Sequence, residues 1–215
     1  MNLRKSLGAA LAALLVLSWP ALAVAASLQD EVKAINDGWA HVTYEMNGSS
    51  HQTVALAQLD HVAATLVARY PNQAEPLLWE GIVVSEEANR ANIFHKLSLA
   101  TRARDLIARA YALNPHAANG GAAMSLGVLY YKVPGSPLGF GDKERARALL
   151  REGLALDPNG LDANYFYGDF LHDKGNDAIA RTYLQKALRA PHDQTRPVWD
   201  AGRRREVMAL LHQLH

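Results

Sequence analysis

The stretch "LDANYFYGDFLHDKGNDAIARTYLQKALRA", Leu161–Ala190, decides how this chain folds. Leu161–Gly175 reads as one helix and Asp177–Ala190 as a second. In the second, Ile179, Tyr183, Leu184 and Leu188 fall on one face at helical spacing. Only "KGN" separates the two, and so short a break folds them back as an antiparallel pair. Pro191 stops the second helix, because proline lacks the amide that the next turn needs.

Working outward, the same ending recurs. "ARAYALNP" closes at Pro115 and "REGLALDP" at Pro158, with weaker echoes at "VARYP" (Pro71) and "ALRAP" (Pro191). The intervals are 44, 43 and 33 residues, within the range of helical-repeat arrays. Between the stops lie two further helix pairs, Ala74–Ala88 with Leu97–Leu113 and Gly120–Lys132 with Lys143–Leu156. No alternating run of β-branched residues with turn dipeptides interrupts them, so the chain is expected to be all-α.

On these residues the unit beginning at Leu161 resembles a tetratricopeptide repeat (TPR), with Gly168, Ala180 and Ala187 at the family's small positions. Gly127 with Ala146 and Gly81 with Ala103 repeat the glycine–alanine pair, and Pro115 and Pro158 stand at its terminal proline. Pro191 comes one residue early and Gly153 replaces an expected Ala. The middle units carry insertions, and the unit ending at Pro71 is degenerate. The phrases "GSPLGFGDKERARALL" and "LDPNGLDANYFYGDFL" are similar to a subgroup of secreted bacterial members. More distantly, the chain resembles the periplasmic helical-repeat component of TRAP-type transporters, without a matching ligand motif. The resemblance implies an all-α, TPR-like, right-handed superhelical solenoid of antiparallel helix pairs with capping helices at both ends.

The expected organisation is a signal peptide over 1–26, an N-terminal capping helix and loop over 27–53, repeats over 54–191, and a linker with a C-terminal capping helix over 192–215. The leader reading rests on Arg4 and Lys5, the short apolar run Leu7–Trp19, and small residues before Ser27. That run is shorter than the ~20 residues of a membrane span. Cleavage would place the chain in the periplasm or outside the cell, with no membrane span in its mature form. The sequence has no cysteine, so packing alone must hold the fold in an oxidising compartment. Without Arg4 and Lys5 the 22 basic residues become 20, against 21 acidic ones. That balance offers no footprint for nucleic acid.

"YYKVPGSPLGFGDKERA", Tyr130–Ala146, contains a connection longer than helix pairs usually need. Gly139–Phe140–Gly141 does not make a phosphate loop: no third glycine, no Lys–Ser/Thr pair and no preceding strand accompany it. Two readings stay open. Leu138 and Phe140 tuck beneath a packed loop whose Asp142 caps the next helix, or the loop forms a rigid lip on the rim of a binding groove.

In the resembled family the first helix of each unit lines the concave face. Carried over position by position, this implies partner-binding residues Asp162, Tyr165, Asp169 and His172 in the last unit, with Asp173 beside them. It implies Met124, Tyr131, Lys132 and Val128 in the unit before, and Glu75, Leu78, Ile82, Ser85 and Glu86 earlier. An acidic, aromatic groove suits a basic or amphipathic peptide, although Tyr131 and Tyr165 also fit as packing residues. His212 and His215 make too sparse a metal pair, so no metal or other cofactor is expected. His41, Tyr44 and Glu45 read as polar surface, and "GRRRE" (Gly202–Glu206) as a solvated charge run or a contact for anionic lipid. No nucleophile motif is present. The expected function is a non-enzymatic exported scaffold that binds a peptide or partner protein on its concave face. The alternative is a transporter accessory holding a small molecule between helices. A closed pocket lined by Trp79, Tyr131 and Tyr165 would favour the alternative, and an open groove the scaffold.

Overall fold

A computed structural model describes residues 26–214, so the signal-peptide reading and His215 lie outside the described residues. Among the described residues nine α-helices follow one another: α1 Leu28–Tyr44, α2 Ser49–Arg69, α3 Ala74–Arg90, α4 Ile93–Leu113, α5 Gly121–Lys132, α6 Lys143–Leu156, α7 Leu161–Asp173, α8 Asp177–Leu188 and α9 Pro197–Gln213. No strand is present among the described residues; Gly135 and Gly141 make an isolated bridge. None of these helices is long and apolar enough to cross a membrane.

Three of the helices, α1, α4 and α6, start where a short polar side chain takes up free amides. Ser27 and Asp30 form a capping box at α1. Asn92 accepts from the amides of Phe94 and His95, which starts α4 at Ile93 rather than at the expected Leu97. The insertion expected between α3 and α4 is therefore taken up as extra helix, leaving only Ala91 and Asn92 between them. α2 likewise begins at Ser49, earlier than the expected repeat boundary. Asp142 caps α6, accepting from the amides of Glu144 and Arg145 at 3.0 and 2.9 Å.

Close packing within pairs follows the small residues. A Cβ on Gly81 would lie 2.4 Å from Ile107 Cγ1, one on Gly127 2.6 Å from Leu150 Cγ, and one on Gly168 2.9 Å from Leu184 Cγ. In each case the carbonyl of the partnering alanine, Ala103, Ala146 or Ala180, is also within 3.2–3.4 Å. The glycine thus makes room for an Ile or Leu one turn beyond that alanine. Ala103, Ala146, Ala180 and Ala187 are all fully buried.

Consecutive pairs stack, α2 on α3, α4 on α5, α6 on α7 and α8 on α9, and α9 also returns to α1. One core cluster accordingly joins the two ends of the described chain: Val32, Ile35 and Trp39 share it with Leu184, Trp199 and Val207. A second cluster fills the middle from α3 to α6 and includes Phe170 of α7. The superhelix therefore closes end on end, and its inner face becomes a basin.

Candidate functional site

The basin is a cavity of about 1360 Å³. Its walls are the odd-numbered helices α1, α3, α5, α7 and α9, the start of α4 and the loop after α5. Closure depends on α9 meeting α1. A Cβ on Gly202 would sit 2.3 Å from the Tyr44 ring, so only a glycine lets the helices approach this far. The Tyr44 hydroxyl donates to Glu206 at 3.2 Å. Arg203, 7% exposed, donates to Asp162 of α7 at 2.7 Å and to Glu206 at 2.5 Å. Its guanidinium lies 4.8 Å from the Tyr165 ring centre and 4.6 Å from that of Phe166. The Gly202–Glu206 run is thus not solvated as a whole. Arg203 faces α7; Arg204, also buried, bonds Asp200 and the carbonyls closing α8; Arg205 is exposed and lines the cavity. Tyr44 likewise is not polar surface but part of this clasp, while His41 and Glu45 pair in solvent.

Of the fourteen residues the resemblance placed on the concave face, ten line the cavity, among them Met124, Lys132, Asp162, Tyr165 and Asp169; Glu75, Tyr131, His172 and Asp173 do not. Tyr131 stands behind the wall, buried, and donates to Asp169 at 2.5 Å. His172 turns away to Asp177 at 2.7 Å, as Asp173 does to Lys143, because both lie at the end of α7 that faces α6 and α8. Lys132 Nζ meets Asp169 at 2.8 Å, so Asp169 is doubly bonded inside the protein.

Burial raises the hydroxyl pKa values of Tyr44, Tyr131 and Tyr165, and nearby carboxylates reinforce the rise. For Arg203 burial acts the other way, but Asp162 and Glu206 outweigh it and raise the pKa. At neutral pH these groups are neutral hydroxyls and a fixed cation, arranged to bond rather than to exchange protons. Among the described residues no group of three or more His, Asp or Glu side chains is placed to hold a metal.

The sequence reading missed what the chain ends contribute. Trp39 and Trp199 join Trp79 in the lining, and Lys96 and Arg205 reach it from α4 and α9. The tryptophans were the available signal; assigning the terminal helices to caps hid it. The loop of Tyr130–Ala146 divides between its two readings. Phe140 packs edge-on to Tyr130, centres 5.8 Å apart, with Arg104 over its ring at 4.5 Å. Leu138 does not tuck in: it is 74% exposed and lines the cavity with Pro134. Ile93 and Leu97, 79% and 39% exposed, line the cavity as well, giving the mouth an apolar lip.

No family profile matches the chain, and no curated protein matches it. Among solved structures it is similar to a thermophilic TPR protein of Thermus thermophilus, with a TM-score of 0.55 at 14% identity. The likeness covers 85% of this chain and 100% of that one. Stacked helix pairs, glycines seated against the partner helix and this structural likeness together make the architecture plain: the chain has the tetratricopeptide-repeat fold.

Proposed function

We propose that this chain is a non-enzymatic scaffold, exported across the inner membrane, which binds a peptide segment of a partner protein in its concave cavity. The apolar lip at the mouth carries the reading: Ile93, Leu97 and Leu138 line the cavity edge while remaining open to solvent. Apolar side chains held at the rim of a concave surface suit a chain that enters and continues outside. The fold is one whose concave surfaces ordinarily hold partners rather than perform chemistry.

The small-molecule alternative draws on one observation, the end-on-end closure that walls the basin with Trp39, Trp79 and Tyr165. Against it, Tyr131 is not in the lining, and the volume exceeds the ~300–1,000 Å³ of small-ligand sites. Replacing Tyr165 and Asp169 together is a poor probe, since it also removes the bonds to Tyr131 and Lys132. A photo-crosslinking side chain at Leu138, in the full chain expressed in a bacterial envelope, tests the reading directly. The expected product is a discrete adduct with a polypeptide, absent when the same group replaces exposed Val62 on α2. Adducts only with small molecules, or equal labelling from both positions, would overturn it.

A further inference from the structure

Four of the five carboxylates lining the cavity are paired within the protein. Asp162 and Glu206 are bonded to Arg203, Asp169 to Lys132 and Tyr131, and Glu86 to Arg90 at 2.8 Å. The remaining lining carboxylate, Asp157, makes no ion pair; burial and nearby Asp162 raise its pKa, and the backbone amide of Gly160 partly offsets the rise. The cations are not all used. Lys96 and Arg205 both line the cavity, are exposed, and make no ion pair or side-chain hydrogen bond with another described residue.

We infer that the segment bound in the cavity is acidic and apolar, with its side-chain carboxylates met by Lys96 and Arg205 and its apolar side chains by the tryptophan wall and the Leu138 lip. This rests on the peptide-binding reading above and supplies its chemistry. It reverses the basic-peptide preference drawn from the sequence. Four of the five acidic residues of the groove neutralise the protein's own cations, and what remains for a ligand is the two cations Lys96 and Arg205 against the single unpaired carboxylate of Asp157. Opposite charge at a concave site also speeds encounter and excludes like-charged competitors.

The test uses short synthetic peptides with both ends blocked, so that no chain terminus contributes. One alternates Glu and Leu, the second replaces every Glu by Lys, and the third replaces every Leu by Ser. Binding is followed by anisotropy of the labelled peptide, and occupancy of the cavity by the tryptophan fluorescence of the mature chain. The Glu–Leu peptide is expected to bind, and each of the other two at least about tenfold more weakly. Raising the salt concentration should weaken the Glu–Leu complex. Lys96→Glu with Arg205→Glu should invert the preference between the Glu and Lys peptides. Because both residues are exposed and unpaired, the fold should tolerate this, and Lys96→Gln with Arg205→Gln provides a gentler variant with about a tenfold loss for the Glu–Leu peptide. Equal or tighter binding of the Lys–Leu peptide, or an unchanged preference in both variants, would refute the inference while leaving peptide binding intact. If none of the three binds, the inference fails, and the crosslinking result decides separately whether peptides bind at all.

Discussion

Replacing Arg203 by Met should loosen the contact that closes the superhelix. Met keeps the apolar surface against Tyr165 and Phe166 but removes a charge bonded to both Asp162 and Glu206. Taking one partner out of a buried pair costs about 3–5 kcal/mol. Here the two carboxylates keep 27% and 36% of their side-chain surface, so water can replace part of the lost bonding. That lowers the expected cost to about 2–4 kcal/mol. For a chain of this size it corresponds to a fall in Tm of roughly 5–15 °C. Thermal unfolding followed by circular dichroism measures the fall, and small-angle scattering reports whether the particle lengthens as α9 leaves α1. Adding Asp162→Asn should cost less than the sum of the single changes, by about 1 kcal/mol, because the two residues share one interaction. If Arg203→Met melts within about 2 °C of the parent, the pair does not hold the ends together and the reasoning is wrong.

The helix-pair glycines should rank by the room available. Gly81→Ala meets Ile107 at 2.4 Å and should destabilise by about 1–3 kcal/mol, whereas Gly168→Ala, at 2.9 Å from Leu184, should lose less because alanine's helix propensity offsets part of the strain. Equal melting temperatures for the two would contradict the ranking. Asp142→Ala removes the α6 cap and should cost about 0.5–2 kcal/mol in denaturant unfolding. Phe140→Ala should also lower stability, since it strips the contact with Tyr130, and no loss would show that the loop stands without it. Burial would raise the pKa of Asp200, but its bonds to Arg204 and His192 win and lower it below the ordinary 3.8. Its contribution is therefore complete above pH 3.8 and is lost as pH falls through the folded-state value. Acid titration of stability should show that loss, and Asp200→Asn should flatten it.

The helix pairs were legible in the sequence because their determinants are local. A glycine, a facing alanine and a terminal proline mark one hairpin, as Gly168, Ala180 and Pro191 do, and the glycine–alanine pair recurs at Gly127 with Ala146 and Gly81 with Ala103 at wider spacing. The inner-face positions of α5 and α7 came from the family resemblance, carried over position by position, and Met124, Lys132, Asp162, Tyr165 and Asp169 do line the cavity. Tyr131 and His172 lie outside the lining, each side chain turned toward a neighbouring carboxylate, Asp169 and Asp177.

Only the tertiary structure decided that the ends meet. Tyr44 seats against Gly202 across almost the whole described chain, and no periodicity encodes a contact at that separation. Three adjacent arginines look alike in a sequence, yet successive residues on a helix point about 100° apart. In α9 that rotation sends Arg203 into α7, Arg204 onto the end of α8 and Arg205 into the cavity. The same distinction governs the charge of the site. Composition counts every carboxylate as available to a ligand, but spatial pairing decides which are already neutralised, and that left the cavity positive where the sequence had made it acidic.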